Sequence, residues 1–155
     1  MAQNSQPDIT VFDSSGQTVL IAEVKARTGT SKEWASMYRR NLTAHGFLRK
    51  VPYFLIATPD HFYLWKNPPD TSVAIEPDYD VETTELLAPY YQRSNIDPRT
   101  VIGRAFELIV AAWLHDLQWG SVGNGAGKPG QGWLDDSGLL QALRGGRAVL
   151  HETTP

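Results

Sequence analysis

Residues 7–26 read PDITVFDSSGQTVLIAEVKA and carry the strongest structural signal in the chain. The segment 8–13 alternates polar and apolar residues. After a Ser-Ser-Gly-Gln turn, the segment 18–26 is almost entirely apolar except for Glu23 and Lys25. Two such runs on either side of a turn are typical of paired strands. The stretch therefore predicts a β-hairpin.

Three charged residues stand out on this hairpin: Asp8, Glu23 and Lys25. Because side chains alternate along a strand, Glu23 and Lys25 emerge on one face and Val24 points to the other. Pairing of the two strands can bring Asp8 beside them. Two carboxylates and a lysine on an otherwise apolar strand are costly to desolvate, so the cluster indicates a functional site.

The chemistry that suits this cluster is phosphodiester hydrolysis. Asp8, Glu23 and the main-chain carbonyl of Val24 offer the hard oxygen ligands that Mg²⁺ prefers. Such an ion neutralises charge that develops on phosphorus and lowers the pKa of a bound water. Lys25 can orient or help deprotonate that water and stabilise the transition state. The pattern predicts a divalent-metal phosphodiesterase centre.

The segments after the hairpin predict further regular elements. Ser31 is a suitable N-cap for an amphipathic helix of about four turns that stops at Gly46. The aromatic and aliphatic runs 53–58 and 62–65 flank a Pro-Asp turn and predict a second hairpin. Segment 66–80 is rich in proline and acidic residues, which predicts an irregular connection.

The second half of the chain predicts another long helix. Asp97 is its expected N-cap, Pro98 lies in the first turn, and an apolar stripe runs to about Leu117. The glycine-rich segment 120–132 predicts a connector. Two short elements complete the prediction, a helix at 139–143 and a strand at 147–150. Without a second core or an internal repeat, residues 1–155 are expected to form one α/β domain.

The hairpin and its surroundings resemble the PD-(D/E)xK nuclease superfamily, also called restriction-endonuclease-like. Pro7-Asp8, a gap of fourteen residues, Glu23-Val24-Lys25, an amphipathic helix and another strand follow one another as in that superfamily. The wider text is similar to small uncharacterised members of the kind common in cyanobacteria. The segments that carry this similarity are EVKA at 23–26, TSKEWA at 30–35, AHG at 44–46, PYFL at 52–55, FYLWK at 62–66 and FELI at 106–109.

The resemblance implies a central mixed β-sheet flanked by helices, dependence on Mg²⁺ or Mn²⁺, and action on nucleic acid, DNA more often than RNA. It implies that Asp8, Glu23 and Val24 bind the metal and that Lys25 is catalytic. Restriction-like folds often pair to cut two strands, so a homodimer is an expected arrangement. The alternative is an inactive nucleic-acid-binding or protein-interaction module with the same fold.

One feature departs from the superfamily pattern. Many members carry a further glutamate on a helix before the first strand, and only six residues precede Pro7 here. Glu107 on the later helix is the alternative source of an acid. An ordinary glutamate at the edge of an apolar stripe is the simpler interpretation of Glu107.

Basic residues that follow the hairpin are the candidate substrate contacts. Lys32 lies close to a helix N-terminus, where an anion is favoured. Arg39 and Arg40 are separated by roughly 100° around the helix, so at most one of them faces a phosphate backbone. A solvated helix surface would explain the same charges. The cations of this region are Lys25, Arg27, Lys32, Arg39, Arg40, Arg49 and Lys50, against the single acid Glu33.

Composition limits the classes of protein that remain. The net charge of −3 and the pI near 5.7 argue against a surface that grips nucleic acid everywhere, so a polyanion must meet a local basic patch. No apolar run reaches the roughly 18–20 residues that span a bilayer, and segment 1–6 lacks the features of a secretory signal. A cytoplasmic protein without membrane contact is expected. The absence of cysteine excludes disulfides, thiolate zinc sites and thiol nucleophiles.

Several other residues have simpler interpretations than a functional one. Tyr38 is expected in the core, His61 in a hairpin, and the pair Asp135-Asp136 in a turn or at an N-cap. Gly127-Lys128 does not complete a phosphate-binding loop, because the required first glycine is replaced by valine and a proline follows the lysine. Tryptophans are expected in the core or at interfaces, although an exposed one could stack on an unpaired base.

Overall fold

The computed structural model describes residues 6–44, 50–69, 73–120 and 132–151. Strands dominate the first half of the described chain, and helices dominate the second half. In chain order the elements are β1 (Ile9–Phe12), β2 (Thr18–Val24), α1 (Lys32–Ala44), β3 (Tyr53–Ala57), β4 (His61–Lys66), β5 (Tyr79–Glu82), α2 (Thr84–Ser94), α3 (Gly103–Trp119), α4 (Trp133–Asp136), α5 (Leu139–Leu143) and β6 (Arg147–Leu150).

The strands form one mixed six-stranded sheet in the order β5-β4-β3-β2-β1-β6. Strands β2 and β3 are parallel, and the other neighbouring pairs are antiparallel. Parallel neighbours require a crossover connection, and the segment that contains α1 provides it. The expected α/β architecture, a mixed sheet flanked by helices, is confirmed.

The predicted hairpin of β1 and β2 is confirmed, with Ile9 opposite Ala22. The carboxylate of Asp13 organises the turn, since its Oδ1 accepts hydrogen bonds from the backbone N–H groups of Ser15 (2.9 Å) and Gln17 (3.0 Å). Gly16 has a φ of +89°, in the left-handed region that favours glycine. The turn sequence therefore sets where β2 begins.

Both faces of the sheet are covered, which explains why β2 is almost continuously apolar. Leu20, Ala22 and Val24 belong to the larger core, which also contains the buried side chains of α3. Ile21 belongs to a smaller core beneath α1, together with residues of β3 and β4. Because side chains alternate, Glu23 lies on the α1 side of the sheet.

The first helix and the second hairpin also follow the sequence prediction. The hydroxyl of Ser31 accepts a hydrogen bond from the backbone N–H of Trp34 at 3.1 Å, which is an N-cap contact. Strands β3 and β4 pair antiparallel, with Ala57 opposite Phe62. The predicted helix stop at Gly46 lies outside the described residues, as do positions 121–131 of the glycine-rich segment.

The predicted start of the second long helix is wrong. Helix α3 begins at Gly103, and Asp97 caps a local turn in which its Oδ1 accepts the backbone N–H of Arg99 at 2.9 Å. An aspartate followed by proline suits a turn as well as a helix N-terminus, so the local signal did not distinguish them. The helix ends at Trp119, slightly beyond the predicted Leu117.

Three elements were not predicted: β5, α2 and the short helix α4. Strand β5 begins inside the segment expected to be irregular, and its burial alternates between partial and exposed as an edge strand's does. Helix α2 contains Pro89, which weakens a helical pattern, and buries Leu86, Leu87 and Tyr91. The short helix α5 and the last strand β6 are confirmed.

Among the described residues, no helix has the length and apolar character that crossing a bilayer requires.

Candidate functional site

The structure brings Asp8, Glu23 and Lys25 together on the α1 side of the sheet. Asp8 directly precedes β1, and the register of β1 and β2 places it opposite Glu23. The backbone N–H of Lys25 donates to the carbonyl of Ala57 at 2.9 Å, so β2 keeps an extended course beyond its last residue. Alternation then places Lys25 on the same side as Glu23.

Backbone N–H groups hold both carboxylates. The N–H of Val24 donates to Oδ2 of Asp8 at 2.8 Å, and the N–H of Asp8 donates to Oε2 of Glu23 at 3.3 Å. The two acids are therefore tied to each other's strands. Within the described residues, Oδ1 of Asp8 accepts no hydrogen bond, which leaves it available to a cation.

Glu23 is a carboxyl group in an unfavourable place for a negative charge. Its exposed fraction is 6%. Burial, and then the neighbouring charge of Asp8, raise its pKa to about 8, although the hydrogen bond from the Asp8 N–H opposes the shift. Near neutral pH the two carboxylates resist carrying full charge together unless a cation joins them. This donor pair fits a hard divalent ion.

The protein contributes few ligands to such an ion. Among the described residues, no group of three or more His, Asp or Glu side chains stands close enough to hold a metal. Asp8 and Glu23, with the Val24 carbonyl, are the donors that the chain offers here. Mg²⁺ commonly keeps several waters and takes one or two carboxylates plus substrate oxygens, so a small donor set is compatible with it.

Lys25 is exposed, and its ammonium lies 5.2 Å from the centroid of the Tyr38 ring. No carboxylate lies within 4.0 Å of it in the part of the chain that the structure describes. Partial burial opposes the charged form, but the Tyr38 hydroxyl, Glu23 and Asp8 outweigh it and raise the pKa of Lys25. The lysine is a stable cation beside the two acids.

Tyr38 belongs to the site, which the sequence did not reveal. Its ring packs against the smaller core, but it is half-buried, and its hydroxyl donates to Oε1 of Glu23 at 3.4 Å. Burial raises the pKa of Tyr38, so the phenol remains neutral and can donate. The expectation that Tyr38 lies in the core is confirmed for its ring, while its hydroxyl reaches Glu23. The available signal was that α1 connects β2 to β3, which places one of its faces over Glu23.

His151 is a second neighbour that no motif indicated. Its backbone N–H donates to the carbonyl of Asp8 at 3.0 Å, and its Nε2 lies 3.0 Å from the hydroxyl oxygen of Thr10. Thr10 is buried and pairs with Ile21, a residue on the α1 side. The end of the described chain thus lies beside Asp8, and the His151 imidazole contacts Thr10.

The predicted basic contacts differ in their accessibility. Arg39 is 2% exposed, its Nη2 donates to the carbonyl of Pro69 at 2.7 Å, and its guanidinium lies 5.8 Å from the ring centroids of Phe54 and Trp65. The prediction of Arg39 as a substrate contact is wrong, because this side chain faces the smaller core. Arg40 is exposed. Lys32 is exposed and lies 3.8 Å from Glu76.

Glu107 does not join the site. It lies on α3, whose buried side chains pack on the opposite face of the sheet from Glu23. Its Oε1 accepts a hydrogen bond from Arg104 at 3.0 Å. The surface interpretation of this residue agrees with its position.

The remaining candidates lie elsewhere. His61 is in the hairpin of β3 and β4, as expected, and its Nδ1 lies 3.0 Å from Asp80. Asp135 and Asp136 are inside α4 rather than at its N-cap, and Asp136 accepts a hydrogen bond from Tyr79 at 2.8 Å. Gly127-Lys128 lies outside the described residues.

Comparisons of the chain with protein-family models, curated proteins and solved structures find no match.

Proposed function

We propose that this protein is a divalent-metal-dependent phosphodiesterase that acts on nucleic acid, DNA in the first place. Asp8 and Glu23, with the Val24 carbonyl, are its metal ligands, and Lys25 is its catalytic lysine. One observation carries the proposal. Asp8 and the buried Glu23 are each held by a backbone N–H of the other's strand beside Lys25, and burial raises the pKa of Glu23 to about 8.

A bound Mg²⁺ or Mn²⁺ would supply Lewis-acid stabilisation of the charge that develops on the phosphate. The backbone N–H groups of Val24 and Asp8 orient the two carboxylates before any ligand arrives. The burial of Glu23 favours exchange of its proton for a cation, because an uncompensated charge there is costly.

Lys25 acts through its charge in this proposal. A lysine with a raised pKa keeps its proton at neutral pH, so its ammonium binds a phosphate oxygen and stabilises negative charge in the transition state. It is a weak candidate for proton abstraction. Tyr38 positions Glu23 through its hydroxyl and lies against the ammonium of Lys25.

The proposal extends to the fold, for which we propose a restriction-endonuclease-like arrangement. Its support is the order of the elements around the motif. A hairpin of β1 and β2 carries the acids and the lysine, α1 crosses over, and β3 returns parallel to β2. On this proposal the protein works on nucleic acid in the cytoplasm, and a homodimer would bring two sites to two strands.

A second candidate is a nucleic-acid-binding or protein-interaction module that keeps the fold without turnover. The observation that favours it is the small donor set, since no third acid or histidine completes a metal-binding group among the described residues. The two candidates differ in a measurable way, because only the first requires Lys25 for chemistry.

The test is cleavage of labelled DNA and RNA, single- and double-stranded, with Mg²⁺, with Mn²⁺ and with EDTA. We expect cleavage that requires metal and falls by about 100-fold or more in Lys25→Ala, as for loss of one group that stabilises transition-state charge. Asp8→Asn and Glu23→Gln should weaken metal binding, so that a higher concentration of Mg²⁺ or Mn²⁺ is needed for half-maximal cleavage. Lys66→Ala is the matched control. Lys66 is an exposed lysine of the same sheet, and its strand partner Tyr53 belongs to the larger core, on the opposite face from the candidate site. Metal-independent cleavage, or equal activity of Lys25→Ala, would contradict the proposal.

A further inference from the structure

Next to the candidate site, two stacked aromatic rings lie between two cationic groups, an arrangement here called the cation–aromatic stack. Lys25 lies over Tyr38 at 5.2 Å from the ring centroid. The Tyr38 ring is parallel to Trp34, with centroids 5.5 Å apart and an angle of 11° between planes. Arg27 lies over Trp34 at 5.7 Å. The stack therefore begins at the catalytic lysine and leads away from it.

Local geometry explains this arrangement. Lys25 and Arg27 lie just beyond β2, where the backbone N–H of Arg27 donates to the carbonyl of Lys25 at 2.8 Å in a tight turn. Trp34 and Tyr38 are four positions apart in α1, so their rings lie one above the other on one helix face. The two cations flank the two rings because this segment runs beside that face.

The stack is accessible to a ligand. Trp34 and Tyr38 are half-buried, while Lys25 and Arg27 are exposed. Neither cation has a carboxylate within 4.0 Å among the described residues. A core packing role explains the buried parts of the rings, but it does not explain why the exposed Arg27 lies over Trp34.

We propose that Trp34 and Arg27 hold the base of an unpaired nucleotide beside the phosphate that Lys25 contacts. The inference rests on the proposed function and names its substrate class, single-stranded nucleic acid or a frayed strand end. In a duplex the faces of the bases are covered by their neighbours, so a surface ring contacts them only when the strand is unpaired. Arginine beside an aromatic ring adds cation–π attraction and a phosphate contact.

Acidic groups limit how far the strand can follow this surface. The rings continue from Trp34 to Tyr63, with centroids 6.3 Å apart. Around Tyr63, however, three acidic side chains contribute to a raised pKa of its hydroxyl, after the larger effect of burial. They are Asp80, Asp60 and Glu33. These acids repel a phosphodiester backbone, so the favourable contact spans the short distance between Lys25 and Arg27. This agrees with a negative overall charge and a local basic patch.

The test is binding without turnover, measured by fluorescence anisotropy in EDTA. The probes are a labelled oligothymidylate of about 12 nucleotides, within the usual range of single-strand sites, and a duplex of equal length. We expect the single strand to bind at least about tenfold more tightly. Trp34→Ala should weaken it by about 5- to 150-fold, which corresponds to about 1–3 kcal/mol for one stacked base. Trp34→Phe should retain part of the affinity, and Arg27→Ala should reduce both affinity and salt dependence.

Trp119→Ala is the matched control, because Trp119 is 60% exposed and lies at the end of α3. Circular dichroism checks that each variant is folded. If Trp34→Ala does not fold, the Trp34→Phe and Arg27→Ala variants provide the test. Equal binding of duplex and single strand, or unchanged affinity in the folded Trp34 and Arg27 variants, overturns the inference. Metal-dependent cleavage with a duplex preference refutes the inference alone. Trp34-dependent binding of the single strand without cleavage in any metal refutes the proposed catalysis and supports the base contact.

Discussion

Glu23 is a buried carboxyl group whose proton is held more tightly in the folded protein than in the unfolded chain. Burial, and then the charge of Asp8, raise its pKa from 4.5 to about 8. Proton binding therefore stabilises the fold fully below about pH 4.5, and this contribution is lost as the pH rises towards about 8. In EDTA we expect Glu23→Gln to gain stability over the wild type by a few kcal/mol across this interval, at about 1.4 kcal/mol per pKa unit. Urea unfolding at several pH values measures the difference.

The control for this prediction is Glu33→Gln, which removes an exposed acid from the first turn of α1. Because Glu33 is exposed, this substitution should change the free energy of unfolding by no more than about 0.5 kcal/mol at each pH. A constant difference for Glu23→Gln would show instead that the Glu23 carboxyl titrates as it does in the unfolded chain. The electrostatic argument for a cation between Asp8 and Glu23 would then lose its basis.

Helix α1 carries two adjacent arginines with opposite surroundings. Arg39 packs against Phe54 and Trp65 and donates to the carbonyl of Pro69, while Arg40 is exposed. We expect Arg39→Ala to lower the free energy of unfolding by about 2–4 kcal/mol, because it leaves a cavity and removes a buried hydrogen bond. Arg40→Ala should stay within about 0.5 kcal/mol of the wild type. Denaturant unfolding of the two variants measures both values, and similar losses would contradict the burial of Arg39.

Across the whole molecule, β6 returns the end of the described chain to β1 and places His151 beside Asp8. Gly146 permits this return, since a Cβ there would lie 1.9 Å from the carbonyl oxygen of Phe12. We expect Gly146→Ala to displace β6 and lower the free energy of unfolding by about 1–3 kcal/mol or more. Thermal and urea unfolding measure the loss, and hydrogen exchange should locate it in β1 and β6.

Gly103→Ala is the matched control, because a Cβ at the first residue of α3 meets no atom within 4 Å. Alanine is the better helix former, so this variant should equal or slightly exceed the wild type in stability. Unchanged hydrogen exchange in β1 for Gly146→Ala would mean that the close approach of β6 does not hold the sheet edge.

Features that depend on neighbouring residues were predictable from the chain. Alternation along β2 places Glu23 and Lys25 on one face, the Ser31 hydroxyl caps α1, and the two hairpins have turns of suitable composition. Each of these features follows from a backbone period or a hydrogen bond within a few residues. They led to three of the side chains in the candidate site.

Features that depend on distant residues were not predictable in the same way. The Asp-Pro sequence at Asp97 suits a turn and a helix N-terminus equally, and α3 begins only at Gly103. Arg39 is buried because rings from β3 and β4 lie beneath it, and His151 reaches a threonine 141 residues away. A periodic pattern states which side chains share a face, whereas the burial of that face depends on which other elements pack against it. The positions of Asp8, Glu23 and Lys25 on the first hairpin were thus predictable from local order, whereas the tyrosine, the histidine and the aromatic rings around them depend on the assembled sheet.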